Sequence, residues 1–189
     1  MYKVYDDILT PEEQRDFAKL ITSNDFPFYW IDTPEQTSVD NYIQDKWGDE
    51  NTLESKVMVH TFMQDGVSNS NMFDRVEHII NKFVSKTSNK ITELFGVRLN
   101  LEFQSPNFDN NKYHCPHKDQ DFEHQVLLYY PFTSDGDTFI FNEIKPNKYE
   151  VVDRIKPIGG RFLLMNSIFH AGQPPIINPT RMTLNYNAR

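Results

Sequence analysis

Apolar residues in the first half of the chain recur mostly at helical spacing, and in the second half at the turn-bounded spacing of short strands. The change comes near Gly96. A helix is predicted to start at Thr10, whose hydroxyl can accept from the third helical amide. Pro11 suits the first helical position, and Glu13 completes a capping box. Residues 25–52 open with Phe26, Phe28, Tyr29 and Trp30, continue into acids and amides, and show no period. They predict an irregular surface region, with the aromatic stretch a candidate substrate lid. Residues 54–63 alternate through Val57, Val59 and Thr61 and predict a strand, and 66–71 predict a turn. The longest helix is expected over 72–95, on Phe73, Val76, Ile80, Phe83 and Val84 and then Ile91, Leu94 and Phe95, with Gly96 as its C-cap.

After Gly96 the segments 97–106, 124–131, 137–142, 148–153, 161–166 and 180–187 are short, rich in β-branched and aromatic residues, and separated by turn residues. Such spacing predicts a sandwich or jelly roll. The fold class is therefore α+β, helices first and a β-rich core at about 97–187. No repeat or linker divides the 189 residues, so one domain is expected over 1–189. A hydrophobic fraction of 38% with 14% aromatics excludes a disordered chain. A net charge of −8 argues against a general nucleic-acid binder, which must neutralise phosphates. Cys115 is the single cysteine, so no intramolecular disulfide can form. The first residues, MYKVYDDILTPEEQ, lack a signal-like apolar core, and no run approaches the roughly 18 apolar residues of a membrane helix. A soluble, cytoplasmic protein without membrane partners is expected.

The candidate chemistry lies in the second half. His117 and Asp119 are two residues apart, so on a strand they would share a face and could grip one ion. His170 is the best third ligand. Two imidazoles and one carboxylate on one side of an ion form the facial triad of non-haem iron(II) oxygenases, which leaves positions open for reactants. Taken singly, each residue has a plainer reading. His117 could be a loop histidine beside a solvated acid, and His170 a hydrogen-bonded core residue. Their joint occurrence with Arg181 separates the two. His60, His78, His114 and His124 are read as structural or surface, since alternation would turn His114 away from the ion.

Four ordered motifs carry a resemblance: His117-Lys118-Asp119; LLYYP followed by DGDTFIF; PIGGRFLLMNSIFHAG; and RMTLNYN. In this order they resemble the iron(II)/2-oxoglutarate dioxygenase superfamily, in particular its prolyl 4-hydroxylase-like branch, over about residues 97–187. The resemblance implies a double-stranded β-helix, a distorted cupin-like jelly roll with the N-terminal helices packed outside. It implies iron(II) held by His117, Asp119 and His170, with 2-oxoglutarate and O2 as cosubstrates. Arg181 would hold the far carboxylate of 2-oxoglutarate, helped by Tyr129, with Tyr130 turned into packing. Thr138 and Thr183 would line the cosubstrate site, and Asn185 would continue that face towards the metal. The implied reaction is hydroxylation of an unactivated C–H bond, and Asp119 favours it over halogenation. A peptidyl residue such as proline is the leading substrate class, a free amino acid or small metabolite the next, and a nucleobase the last. His114, Pro131 and the Gly136-Asp137 pair depart from the prolyl hydroxylase pattern and leave the prolyl assignment open. A non-enzymatic cupin-like metal-binding module is the competing class; it would have no need of Arg181 and Tyr129 as a buried carboxylate clamp.

Overall fold

The structure is a computed structural model that describes residues 1–30, 52, 55–105, 107–146 and 148–189. Among the described residues the chain forms two helices and eleven strands. The helices are α1 (Pro11–Ile21) and α2 (Phe73–Thr87). The strands are β1 (Tyr2–Tyr5), β2 (Tyr29–Trp30), β3 (Val57–Gln64), β4 (Val67–Ser68), β5 (Leu94–Phe103), β6 (Gln125–Tyr129), β7 (Thr138–Lys145), β8 (Lys148–Ile155), β9 (Phe162–Asn166), β10 (Phe169–Gly172) and β11 (Thr180–Ala188).

Helix α1 begins as its sequence dictates. Thr10 is extended, its hydroxyl accepts from the Glu13 amide at 3.2 Å, and the Glu13 carboxylate accepts from the Thr10 amide at 2.7 Å. Helix α2 is shorter than its apolar spacing predicts. Ser88 turns into the left-handed region at φ 59°, and the Asn89 side chain, bonded to Thr87 Oγ1 and Tyr5 Oη, fastens the chain there. Leu94, Phe95 and Gly96 consequently open β5 instead of closing a helix. Their spacing fits a helical face, but β5 finds partners for its whole backbone in β3 and β11. The expected turn at 66–71 holds the two-residue strand β4.

The larger sheet has eight strands in the order β1-β9-β6-β11-β5-β3-β2, with β4 paired to β3. The smaller is β10-β7-β8, and the strand pairings within both are antiparallel. Alternation divides the faces of the larger sheet. Leu99, Leu127, Tyr129, Phe162, Leu184 and Tyr186 join Phe17, Ile21, Val76, Ile80 and Phe83 of the helices in one apolar cluster. The Phe17 and Tyr129 rings lie 5.9 Å apart and those of Phe83 and Phe162 5.3 Å. Each such buried side chain contributes about 1.5–3 kcal/mol. The opposite parity presents Arg98, Asn100 and Glu102 of β5 and Arg181, Thr183 and Asn185 of β11 to a cavity of about 300 Å³. Thr138, His170 and Gly172 of the smaller sheet line the same cavity.

Candidate metal centre

One cluster of possible metal ligands stands out among the described residues: His117, Asp119 and His170, with one ligand atom each, all within 4.8 Å of one another. The Nε2 atoms of His117 and His170 lie 3.3 and 3.4 Å from Asp119 Oδ1. Ligands at right angles about 2.1 Å from one ion are about 3 Å apart; the two imidazole–carboxylate spacings approach this, and the widest spacing, up to 4.8 Å, has to contract for one ion to take all three. His170 sits on β10. His117 and Asp119 lie in a loop rather than on the expected strand, yet His117 is tied to His170 by two backbone hydrogen bonds of 3.0 Å, each residue's amide donating to the other's carbonyl. That bridge, not strand alternation, brings the imidazoles together.

Each ring is also oriented. His117 Nδ1 lies 2.8 Å from the Cys115 carbonyl and His170 Nδ1 3.2 Å from the Ile168 carbonyl. A carbonyl can only accept, so both Nδ1 atoms carry the proton and both Nε2 atoms face Asp119, as donors or as lone pairs on a shared cation. Asn185 Nδ2 donates to the other oxygen of Asp119 at 3.0 Å. Burial opposes ionisation of Asp119, but hydrogen bonds from His117 and His170 outweigh it and hold the carboxyl well below the ordinary 3.8.

Arg181 is buried at the other end of the cavity. Its Nε donates to the Gly136 carbonyl at 2.8 Å, one terminal nitrogen to Thr138 Oγ1 at 2.8 Å, and the other to Glu102. Gly136 has to be a glycine here. A Cβ would stand 2.2 Å from the Gln173 carbonyl oxygen and 2.9 Å from Arg181 Cδ. Glu102 also accepts from His114 Nε2 at 3.0 Å. Burial would raise the Glu102 carboxyl, but the Arg181 charge, followed by the His114 hydrogen bond, outweighs it and brings it down to about 2.

The cavity thus gathers seven of the eight residues singled out in the sequence: His117, Asp119, His170, Arg181, Thr138, Thr183 and Asn185. Tyr129 is on the opposite face. Its ring packs 4.7 Å from Phe162, and its hydroxyl, whose pKa burial pushes up, has no hydrogen-bond partner among the described residues. Tyr130 instead faces the Arg181 side, behind the residues that line the cavity, with its hydroxyl 2.8 Å from Thr138 Oγ1 and the Arg181 guanidinium 5.9 Å from its ring centre. The expected directions of the two tyrosines are therefore reversed: Tyr129 turns into packing and Tyr130 towards Thr138 and Arg181. Val126 through Tyr130 are buried on both faces, so no polar-apolar alternation marked the parity.

Glu102 and Arg98 were missed, although the run Arg98-Leu99-Asn100-Leu101-Glu102 alternates cleanly. Its polar face meets the cavity rather than bulk solvent. His114, expected to be structural or surface, enters the cavity against Glu102, outside the metal cluster. His60, His78 and His124 stay away from it: His60 bonds the Pro27 carbonyl and Ser70, His78 the Glu13 carboxylate, and His124 the Phe122 carbonyl. Of the candidate lid, Phe26 is buried against Phe28 and His60 and Tyr29 and Trp30 are exposed, while residues 31–51 lie outside the described residues.

No known family's sequence profile matches the chain, and no curated protein matches it in sequence. Solved structures do match. A prolyl hydroxylase from Trichoplax adhaerens, in complex with a hypoxia inducible factor oxygen degradation domain peptide fragment, superposes with a TM-score of 0.64 at 13% identity, over 99% of this chain and 82% of that one. A 2OG-Fe(II) oxygenase family oxidoreductase from Burkholderia pseudomallei gives 0.66 at 10% identity, over 99% and 84%. The non-haem alpha-ketoglutarate-dependent epimerase SnoN of nogalamycin biosynthesis gives 0.56 at 10%, over 99% and 77%. At these identities the likeness is one of fold: the chain folds as the 2OG-Fe(II) oxygenases do.

Proposed function

We propose that the chain is an iron(II)- and 2-oxoglutarate-dependent oxygenase built on a double-stranded β-helix, which hydroxylates an unactivated C–H bond. One observation carries this reading. Two oriented imidazoles and a carboxylate converge at one end of a cavity whose other end holds a buried arginine. Asn185, which holds Asp119, and Arg181 are four residues apart on β11, about 13 Å. That leaves room for a five-carbon diacid between metal and guanidinium. Three of the five guanidinium N–H groups have partners among the described residues, which leaves two that a further carboxylate could take. The buried Thr183 Oγ1, Asn185 Oδ1 and Asn100 Oδ1 have no hydrogen-bond partner among the described residues and line the stretch between, as a polar ligand requires.

Iron(II), held by His117, Asp119 and His170 with 2-oxoglutarate bound, would let dioxygen act as the oxidant, one oxygen atom ending in the C–OH and the other in succinate as carbon dioxide leaves. The chain's own residues do the positioning. The Cys115 and Ile168 carbonyls fix the two histidine tautomers, and Asn185 fixes the carboxylate rotamer of Asp119. Thr138, braced by Tyr130, holds the guanidinium plane that would receive the far carboxylate.

The sequence left two substrate classes in front. A peptidyl residue is supported by the likeness to the Trichoplax protein, whose structure holds a peptide. A small metabolite is supported by Arg98, an exposed cation beside His117 and Asp119. The test is anaerobic addition of iron(II) and 2-oxoglutarate, followed by succinate measurement in air. A weak visible charge-transfer band and slow succinate release are expected in the wild type and neither in His117→Ala. A wild type that binds the metal but gains no stability or band from 2-oxoglutarate would leave only the metal-binding module.

A further inference from the structure

Beside the metal cavity lies a second one, of about 430 Å³, and the two meet at Arg98, His117, Asp119 and Asn185. The first runs from the metal ligands to Arg181. The second is bounded on its other side by β3 and the start of β5, with Thr61, Gln64, Asp65 and Asn187 in its wall. A molecule held in the second cavity would therefore reach the metal ligands without entering the Arg181 pocket. Arg98 is exposed, pairs in register with Asn185 across β5 and β11, and faces the junction. It makes no ion pair or side-chain hydrogen bond with any described residue, whereas Arg154, Arg161 and Arg181 each have a carboxylate. Glu102 offsets Arg181, so Arg98, which lines both cavities, is the arginine at their junction without a carboxylate of its own among the described residues. The second cavity's other cation, Lys118, has its ammonium 4.8 Å from the centre of the Phe169 ring.

We infer that Arg98 binds the carboxylate of a small substrate in the second cavity, and that the substrate is a free acid of amino-acid size and not the interior of a peptide. The inference rests on the oxygenase reading for its metal. The guanidinium fork takes a carboxylate with two parallel N–H donors, which an internal peptide bond cannot match. The cavity wall is otherwise largely polar, and its other carboxylate besides Asp119 is Asp65, which suits an ammonium group on the same molecule. Substrate and cosubstrate then occupy separate arms and meet only at the metal face.

The test uses the whole chain loaded with Mn(II) and 2-oxoglutarate without oxygen, and a panel of free L-amino acids, each paired with its carboxamide. Thermal unfolding reads the binding of each. Some free acids should stabilise the loaded protein where their carboxamides do not. Arg98→Gln should weaken those acids roughly 10- to 100-fold, the effect of one lost charge-assisted contact, and Arg98→Lys should restore part of the binding. A panel in which no acid outdoes its carboxamide, or an Arg98→Gln variant that keeps the preference, overturns the inference. The rise in melting temperature from 2-oxoglutarate alone is measured in the same variant; its loss would assign Arg98 to the cosubstrate and overturn the inference equally. A wild type that selects the acids through Arg98 yet ignores 2-oxoglutarate would keep the inference and refute the oxygenase.

Discussion

Replacing Glu102 with Gln tests the buried ion pair that holds Arg181, because the variant keeps the side-chain shape and removes only its charge. The wild-type carboxyl is brought from 4.5 to about 2 in the folded chain, which corresponds to about 3 kcal/mol. Removing one partner of a buried pair costs about 3–5 kcal/mol by the general rule, so the two figures agree. In a chain of this length each kcal/mol moves Tm by about 2–4 °C, and Glu102→Gln should melt roughly 10 °C lower at pH 7. The folded-state pKa is depressed, so the stabilisation is complete above about 4.5 and lost as pH falls towards 2. The gap between wild type and variant should therefore narrow through that window. The decisive measurement adds 2-oxoglutarate. Its far carboxylate can replace the missing charge opposite Arg181, so saturating 2-oxoglutarate with Mn(II) should raise the Tm of the variant by several degrees more than that of the wild type. Calorimetry without oxygen reads both numbers. A variant within 2 °C of the wild type, or an equal increment from 2-oxoglutarate, would refute the reasoning: the first would show that the pair is not formed, the second that the diacid does not reach the guanidinium.

The two adjacent tyrosines should separate in the same assay. Tyr129→Phe removes a buried hydroxyl that has no partner among the described residues and should leave Tm and 2-oxoglutarate binding as they are, or raise Tm slightly. Tyr130→Phe breaks a buried hydrogen bond to Thr138, should cost about 1 kcal/mol, and should weaken 2-oxoglutarate in a binding titration. Asn185→Ala releases one oxygen of Asp119 and should lower metal affinity about 10-fold or more in a competition titration with a chelator, with little change in the helical circular dichroism signal.

Legibility in the sequence followed what each residue depends on. The start of α1 was readable because Thr10, Pro11 and Glu13 act on one another within four residues. The end of α2 was not, because Leu94 and Phe95 fit a helical face and a strand equally, and only pairing with β3 and β11 decides. The metal cluster and Arg181 stood out because chemistry restricts which residue types can do that work. The loop that carries His117 and Asp119 gave no such signal, since its shape comes from the bridge to His170, 53 positions along the chain. Glu102 and Arg98 alternated with leucines as a solvent-facing strand would. That the polar side of β5 looks into a cavity is a property of the second sheet, which no local pattern reveals.

The bridge between His117 and His170 has a consequence apart from chemistry. β10 is the outermost strand of its three-stranded sheet, and such a strand invites pairing with another molecule. The amides of His114 and His117 donate to the carbonyls of Gly172 and His170, and the His170 amide returns a bond to His117. The stretch that carries His117 and Asp119 therefore also caps the backbone of β10, so that displacing it would part the two imidazoles and uncover an aggregation-prone border in one event.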